Sequence, residues 1–207
     1  MAELAVQDPA AVAAGAPSLD LLARAACRCV ACPELVATRM NVVAGDFPPG
    51  ADVLLVGEAP GAQEDATGRP FVGKAGQLLD RLLGEVGLPR ERVAVTNVVK
   101  CRPPANRKPR RAEVARCRSW LERQVLLSDP VVVCTLGGTA AEWALGPGTR
   151  LGAARELSHT YAGRPLMVTF HPSAAIRFGP RGAPLAALRT DLATLADLVA
   201  SSPRRAQ

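Results

Sequence analysis

Short runs of β-branched and aliphatic residues alternate with helix-length amphipathic stretches along this chain, and that alternation restricts its fold more than any other feature. Asp52-Val-Leu-Leu-Val56, Arg92-Val-Ala-Val-Thr-Asn97 and Pro130-Val-Val-Val-Cys-Thr135 are strand-length apolar runs with little polar alternation, the pattern of strands covered on both faces. Helical patterns occupy residues 73–86, stopped by Gly87, and residues 111–127, while Gly137-Gly138 opens another that reaches about Leu145. Two strands joined by Ala162-Gly163-Arg164-Pro165 fall between Leu157 and Phe170, and a last helix runs from about Pro184 to Ala200. Alternation of this kind predicts a layered α/β fold around a mostly parallel sheet.

At 207 residues the chain is long enough for one domain with an ordinary core. Residues 21–200 are expected to form that single domain, 1–20 a weakly ordered Ala-rich tail and 201–207 a frayed end. The start carries Glu3 and Asp8 and no leading Lys or Arg, unlike a signal peptide. No apolar run approaches the roughly 18–20 residues a membrane span needs. A cytoplasmic, reducing location is therefore expected, where six cysteines are ligands or core residues rather than disulfides.

Two features single out a chemistry. Cys29-x2-Cys32 lies near the start, and Cys101 and Cys117 bracket the most basic stretch, Cys101-Arg-Pro-Pro-Ala-Asn-Arg-Lys-Pro-Arg-Arg111. Thiolates suit zinc or iron–sulfur clusters, although Cys101 and Cys117 are too far apart for a zinc-ribbon knuckle. Cys134 sits in an apolar strand and reads as core; Cys27 competes with Cys29 only at the cost of the x2 spacing. A net charge of +6 and the cations Lys100, Arg102, Arg107, Lys108, Arg110 and Arg111 favour a polyanionic partner bound in a salt-dependent way.

Open α/β sheets bind ligands beyond the carboxyl ends of their strands. Glu58 follows the first strand, Asn97 ends the second and His171 follows the last. A carboxylate can position water, an amide can read a base edge and an imidazole can donate to developing negative charge. Taken singly they also read as a loop carboxylate, a strand-end amide and a helix entry capped by Ser173.

Gly57-Glu-Ala-Pro-Gly61, Gly68-Arg-Pro-Phe-Val-Gly73, Thr96-Asn-Val-Val-Lys-Cys-Arg-Pro-Pro104 and His171-Pro-Ser173, together with Glu64-Asp65, Asn106-Arg107 and the cysteine spacing, resemble the signature blocks of the family 4, iron–sulfur uracil-DNA glycosylases. The resemblance covers about Cys27 to Leu198. It implies a three-layer α/β/α fold with a central, mostly parallel four-stranded sheet, and an enzyme that flips uracil from DNA and hydrolyses its N-glycosidic bond, without strand cleavage, to start base-excision repair. By the same resemblance Phe71 stacks on the flipped base, Asn97 reads its edge, and His171 donates to uracil O2. Glu58 orients the water, with backbone amides of the Gly57–Ala62 turn, Gly61 among them, as further donors. A 4Fe–4S cluster on Cys29, Cys32, Cys101 and Cys117 is implied, as is a loop in which Ile176 wedges into DNA beside Arg177. A monomer is expected, and a replication-clamp contact is left open.

The chain departs from the family 1 pattern, which has an Asp and a thymine-excluding Tyr where Ala59 and Gly61 stand, so Glu64 is a candidate for excluding thymine. The basic loop also lacks the histidine-bearing insertion of a related covalent-trapping class, which favours turnover. Two other readings stay open: a non-catalytic iron–sulfur DNA-binding module, and an enzyme acting on a free nucleotide.

Overall fold

A computed structural model describes residues 5–202. Five strands, β1 (Val53–Gly57), β2 (Val93–Asn97), β3 (Val132–Leu136), β4 (His159–Tyr161) and β5 (Arg164–Thr169), make one sheet in the order β2-β1-β3-β5-β4. The expected four-stranded sheet is the parallel part, β2-β1-β3-β5; β4 is a fifth strand, antiparallel on the edge. A two-residue turn makes this pairing, with Ala162 and Gly163 both at positive φ (49° and 77°), which matches the twist of a tight hairpin. Pro165 is tolerated because it pairs only with Thr160 of the edge strand, while the β3 ladder begins at Leu166.

The helices are α1 (Pro9–Gly15), α2 (Leu19–Cys27), α3 (Pro33–Val36), α4 (Ala62–Thr67), α5 (Lys74–Glu85), α6 (Arg111–Ser128), α7 (Gly138–Leu145), α8 (Leu151–Arg155), α9 (Pro172–Phe178) and α10 (Ala183–Ala200). Alternate strand residues face opposite layers. Val53, Leu55, Val93, Val95 and Cys134 meet Leu79, Leu82 and Leu83 of α5 and Leu188, Leu192 and Leu195 of α10. Leu54, Val56, Ala94 and Val133 meet Leu121 and Val125 of α6 and Trp143 of α7. Each fully buried leucine contributes about 2 kcal/mol, so both layers are held by ordinary apolar burial.

In the stretch 1–20, expected as a weakly ordered tail, the described part carries α1 and the start of α2. Asp8 caps α1 by accepting from the amides of Ala10 and Ala11, and Arg123 of α6 donates to the Ala16 carbonyl at 2.6 and 2.9 Å. Val6, Ala13, Ala16, Leu22, Ala25 and Ala26 form a small core on Trp120. Small residues hid this packing, since alanine buries little area and gives a weak periodic signal. Residues 1–4 and 203–207 lie outside the described part.

Candidate active site

A cleft of about 400 Å³ opens over the carboxyl ends of the parallel strands. β2 and β3 flank β1 on opposite sides, so the cleft lies where the strand order reverses. Glu58, Phe71, Asn97 and His171 all line it. Backbone pairing continues past the strands, with the amides of Val98 and Val99 donating to the carbonyls of Gly57 and Glu58 at 2.9 and 3.2 Å, which locks the Glu58 and Asn97 rims together.

Asn97 is 2% exposed, and its Oδ1 is buried without a hydrogen-bond partner. An orphaned amide oxygen costs about 1–3 kcal/mol, a cost that a ligand donor entering the cleft would remove. Gly57 lies beneath it and does not line the cleft. A Cβ on Gly57 would fall 2.4 Å from Asn97 Oδ1 and 2.6 Å from the Phe71 ring, so the missing side chain is what lets amide and aromatic come together.

Phe71 holds an unusual backbone, φ 54°, for a bulky residue. Glu64 fixes it: Oε1 accepts from the amides of Val72 (3.0 Å) and Gly73 (2.8 Å), while Oε2 accepts from Gly61 N at 3.1 Å. Gly76 completes the arrangement, because a Cβ there would lie 1.7 Å from the Phe71 carbonyl oxygen. Glu64, expected as a thymine excluder, and Gly61, expected as a ligand donor, both line the cleft, where the carboxylate accepts from the Gly61 amide and from the Phe71 loop. Ala62 is exposed at the start of α4 and does not line the cleft.

His171 caps α9 with its ring, replacing the expected Ser173 cap. Nδ1 accepts from the Ser173 amide at 3.2 Å and lies 2.8 Å from Ser173 Oγ. An Nδ1 that accepts places the ring proton on Nε2. Burial pulls the ring from its usual 6.5 down to about 4, only partly opposed by the charge of Glu64, so the imidazole is neutral near pH 7. Its ring centroid is 5.7 Å from that of Phe71. Gly137, φ 88°, permits this position, since a Cβ there would meet His171 Cβ at 3.0 Å.

Across the cleft, Thr139 donates its hydroxyl to Glu58 Oε2, which leaves Oε1 for a further partner. Thr139 carries little signal in the sequence beyond the preceding Gly137-Gly138 pair, which marks only a helix opening. Gly76 had a clearer one: a glycine inside an amphipathic helix is unfavourable unless something approaches closely.

The cations of the basic loop differ in exposure and partners. Lys100, expected to face DNA, is 1% exposed and points inward; its Nζ donates at 2.7 Å to Thr96 Oγ1, to the Asn97 carbonyl and to Gln124 Oε1. Arg107 lines the cleft yet forms a two-pronged pair with Glu113 at 2.7 and 2.9 Å. Lys108 pairs with Glu142, and Arg110 with Glu34; both cations remain 61% exposed. Arg102 donates to Asn106 Oδ1 at 2.7 Å. Arg111, Ile176 and Arg177 are exposed, Arg177 on the cleft wall.

Cys29, Cys32, Cys101 and Cys117 line a second, small cavity, without Cys27. Arg39 donates to Cys101 Sγ at 2.9 Å and to the Cys29 carbonyl at 2.7 Å, and the Lys100 amide donates to Cys117 Sγ at 3.3 Å. Burial pushes Cys101 up to about 11 and Cys117 up to about 12, so both are thiols at neutral pH in the absence of a metal. Among the described residues no three ligating side chains are drawn tightly enough together to hold a metal ion. Cys134 is core, as expected. No helix among the described residues is long and apolar enough to cross a membrane.

Residues 44–193 match the family profile described as the Uracil DNA glycosylase superfamily. The chain is 40% identical over 162 residues to a type-4 uracil-DNA glycosylase of Thermotoga maritima, covering 77% of this chain and 83% of that protein. It is 42% identical over 159 residues to a type-4 uracil-DNA glycosylase of Pyrobaculum aerophilum, covering 72% and 80%. A type-5 uracil-DNA glycosylase of the latter organism is 34% identical over 142 residues, covering 54% and 62%.

Proposed function

The chain belongs to the uracil-DNA glycosylase superfamily and is similar over most of its length to the type-4 members described above, and from that premise we propose that it releases uracil from DNA by hydrolysis and leaves an abasic site. The observation that carries the reading is the buried, partnerless Asn97 Oδ1 beside the Phe71 ring. Uracil presents an N3–H donor next to an O4 acceptor, the complement of a side-chain amide. A base in the stack exposes neither Asn97's target edge nor its glycosidic bond, so the nucleotide must be flipped to reach the cleft.

The chemistry divides among three residues. As the C1′–N1 bond breaks, its electron pair passes to uracil and charge builds on O2; the neutral His171 donates Nε2–H to that oxygen. Glu58, held at Oε2 by Thr139, uses Oε1 to orient a water toward C1′ and accepts its proton as the new C–O bond forms. Uracil leaves as an anion and is then reprotonated. Strand cleavage through a Schiff base is not part of the proposal: none of the three lysines, Lys74, Lys100 and Lys108, lines the cleft. The exposed Lys108, Arg110, Arg111 and Arg177 are candidates for phosphate contacts, Arg102 and Arg107 for shaping the loop, and Ile176 for the wedge.

Cys29, Cys32, Cys101 and Cys117 would hold a 4Fe–4S cluster. The cavity suits an anionic group, because Arg39 bonds one thiol, Arg116 another, and the Lys100 backbone amide donates to the sulfur of Cys117. When bound, the cluster supplies a cross-link between the N-terminal segment and the basic loop. A cytoplasmic, monomeric enzyme is part of the same reading.

The purified protein is tested on uracil-containing and thymine-containing oligonucleotides, with free base measured directly and abasic sites revealed by alkali. Uracil-dependent release that Asn97→Ala slows sharply, to a rate still measurable under single-turnover conditions, is expected. No release by protein with a full complement of iron would end the proposal in favour of a non-catalytic DNA-binding module.

A further inference from the structure

We infer that Lys100 is a positioning residue for base recognition, holding Asn97 in register from behind the cleft. The inference rests on the proposal that Asn97 reads uracil. Lys100 is three residues beyond Asn97, and its chain turns back under the end of β2 so that Nζ meets the Asn97 carbonyl. Its other two acceptors belong to the wall behind: Thr96 Oγ1, and Gln124 Oε1 on α6. Gln124 is itself anchored through Nε2 to the Ala44 carbonyl, while the Thr96 hydroxyl lies 3.3 Å from that carbonyl. The amide of Asn97, by contrast, has no such support at Oδ1. Its orientation therefore depends on the backbone to which Lys100 is bonded.

A buried ammonium is a costly way to brace a strand end. Three bonds at 2.7 Å in three directions fix a point in space, which an apolar side chain of the same length cannot do. The same residue bonds Cys117 Sγ through its amide and accepts from the Val43 amide through its carbonyl at 2.7 Å. Lys100 is thus the residue at which the thiol cavity, the 43–44 loop and the recognition amide are joined.

The test is a double-mutant cycle in the metal-loaded protein, read as the single-turnover rate of uracil release. Lys100→Met keeps length and packing while removing the three bonds. It is expected to slow release by about 10- to 100-fold, the effect of a small displacement at a reacting group, and to slow an Asn97→Ala background by no more than about threefold. Visible absorbance per protein should stay at the wild-type value. An equal fall in both backgrounds, or no fall in the first, overturns the inference. If Lys100→Met does not fold, Thr96→Val, which removes one of the three acceptors, takes its place in the cycle with a smaller fall expected and the same outcomes decisive. Wild-type protein that releases no uracil overturns the functional proposal and this inference together, whereas an active wild type with additive variants overturns this inference alone.

Discussion

His171 and Thr139 show how single side chains at the rim are tuned by their neighbours. The folded His171 ring takes a proton only near pH 4, whereas an unfolded ring takes one near 6.5. The unfolded state therefore binds more protons between these values, and stability undiminished above about 6.5 falls as pH drops toward 4, by at most about 3 kcal/mol. The chain has only two histidines, so an NMR titration should resolve His171 directly, with a midpoint near 4; a midpoint at 6.5 would remove the neutral-donor role. Thr139→Val deletes the hydroxyl donor to Glu58 without changing side-chain size. Single-turnover release should slow about 10-fold, a typical share for one general-base contribution weakened but not lost, while thermal stability falls by about 1 kcal/mol or less. An unchanged rate would show that Glu58 is oriented by something else.

Between residue and molecule, the element that matters is the loop from α4 to α5. Phe71 at φ 54° is unfavourable by itself, and Glu64, bonded to three amides, together with the bare face of Gly76 makes it stable. Gly76→Ala must push the Phe71 carbonyl away, so a stability loss of about 2–4 kcal/mol is expected by thermal or denaturant unfolding, with loss of uracil release wherever the protein still folds. Glu64→Ala should act in the same direction through the freed amides of Val72 and Gly73. Were Gly76→Ala as stable and active as wild type, the loop would not be the rigid clamp described here. The helix periodicity around residues 73–86 placed α5 within a residue at each end, but it carried no sign that the turn before it is strained.

At the scale of the whole molecule, the N-terminal segment is part of the thiol cavity's support. Val6 bridges to Cys29, with Val6 N bonded to the Arg28 carbonyl and Val30 N to the Val6 carbonyl, each at 2.9 Å. Removal of residues 1–17 should therefore lower the unfolding temperature and reduce iron retained through gel filtration. Equal iron content in the truncated and full-length proteins would show that the segment only packs on α6. The basic face is the other molecular-scale feature: with Lys108, Arg110, Arg111 and Arg177 on phosphates, log affinity for DNA should fall linearly with log salt, and Arg110→Ala with Arg111→Ala should flatten the slope by about 2.

The sequence alone determined the parallel strands, the main helices and the rim of Glu58, Asn97 and His171, because continuous apolar runs, glycine stops and strand ends are local patterns. Spacing and resemblance also singled out Cys29, Cys32, Cys101 and Cys117, which the fold brings to one small cavity. Tertiary structure decided which of the named groups are free to act. Lys100 reads as one more cation in a basic run, yet burial turns it inward to Asn97 and Gln124; Glu64 reads as a cleft carboxylate, and only the fold shows that it also holds the amides of Gly61, Val72 and Gly73. Gly57, Gly76 and Gly137 are needed for contacts with residues far along the chain or across a strained turn. Thr139 becomes important only because β1 and β3 are neighbours. A local pattern records what a residue is and which face it occupies, whereas hydrogen-bond satisfaction and close approach depend on partners that only the folded chain brings within reach.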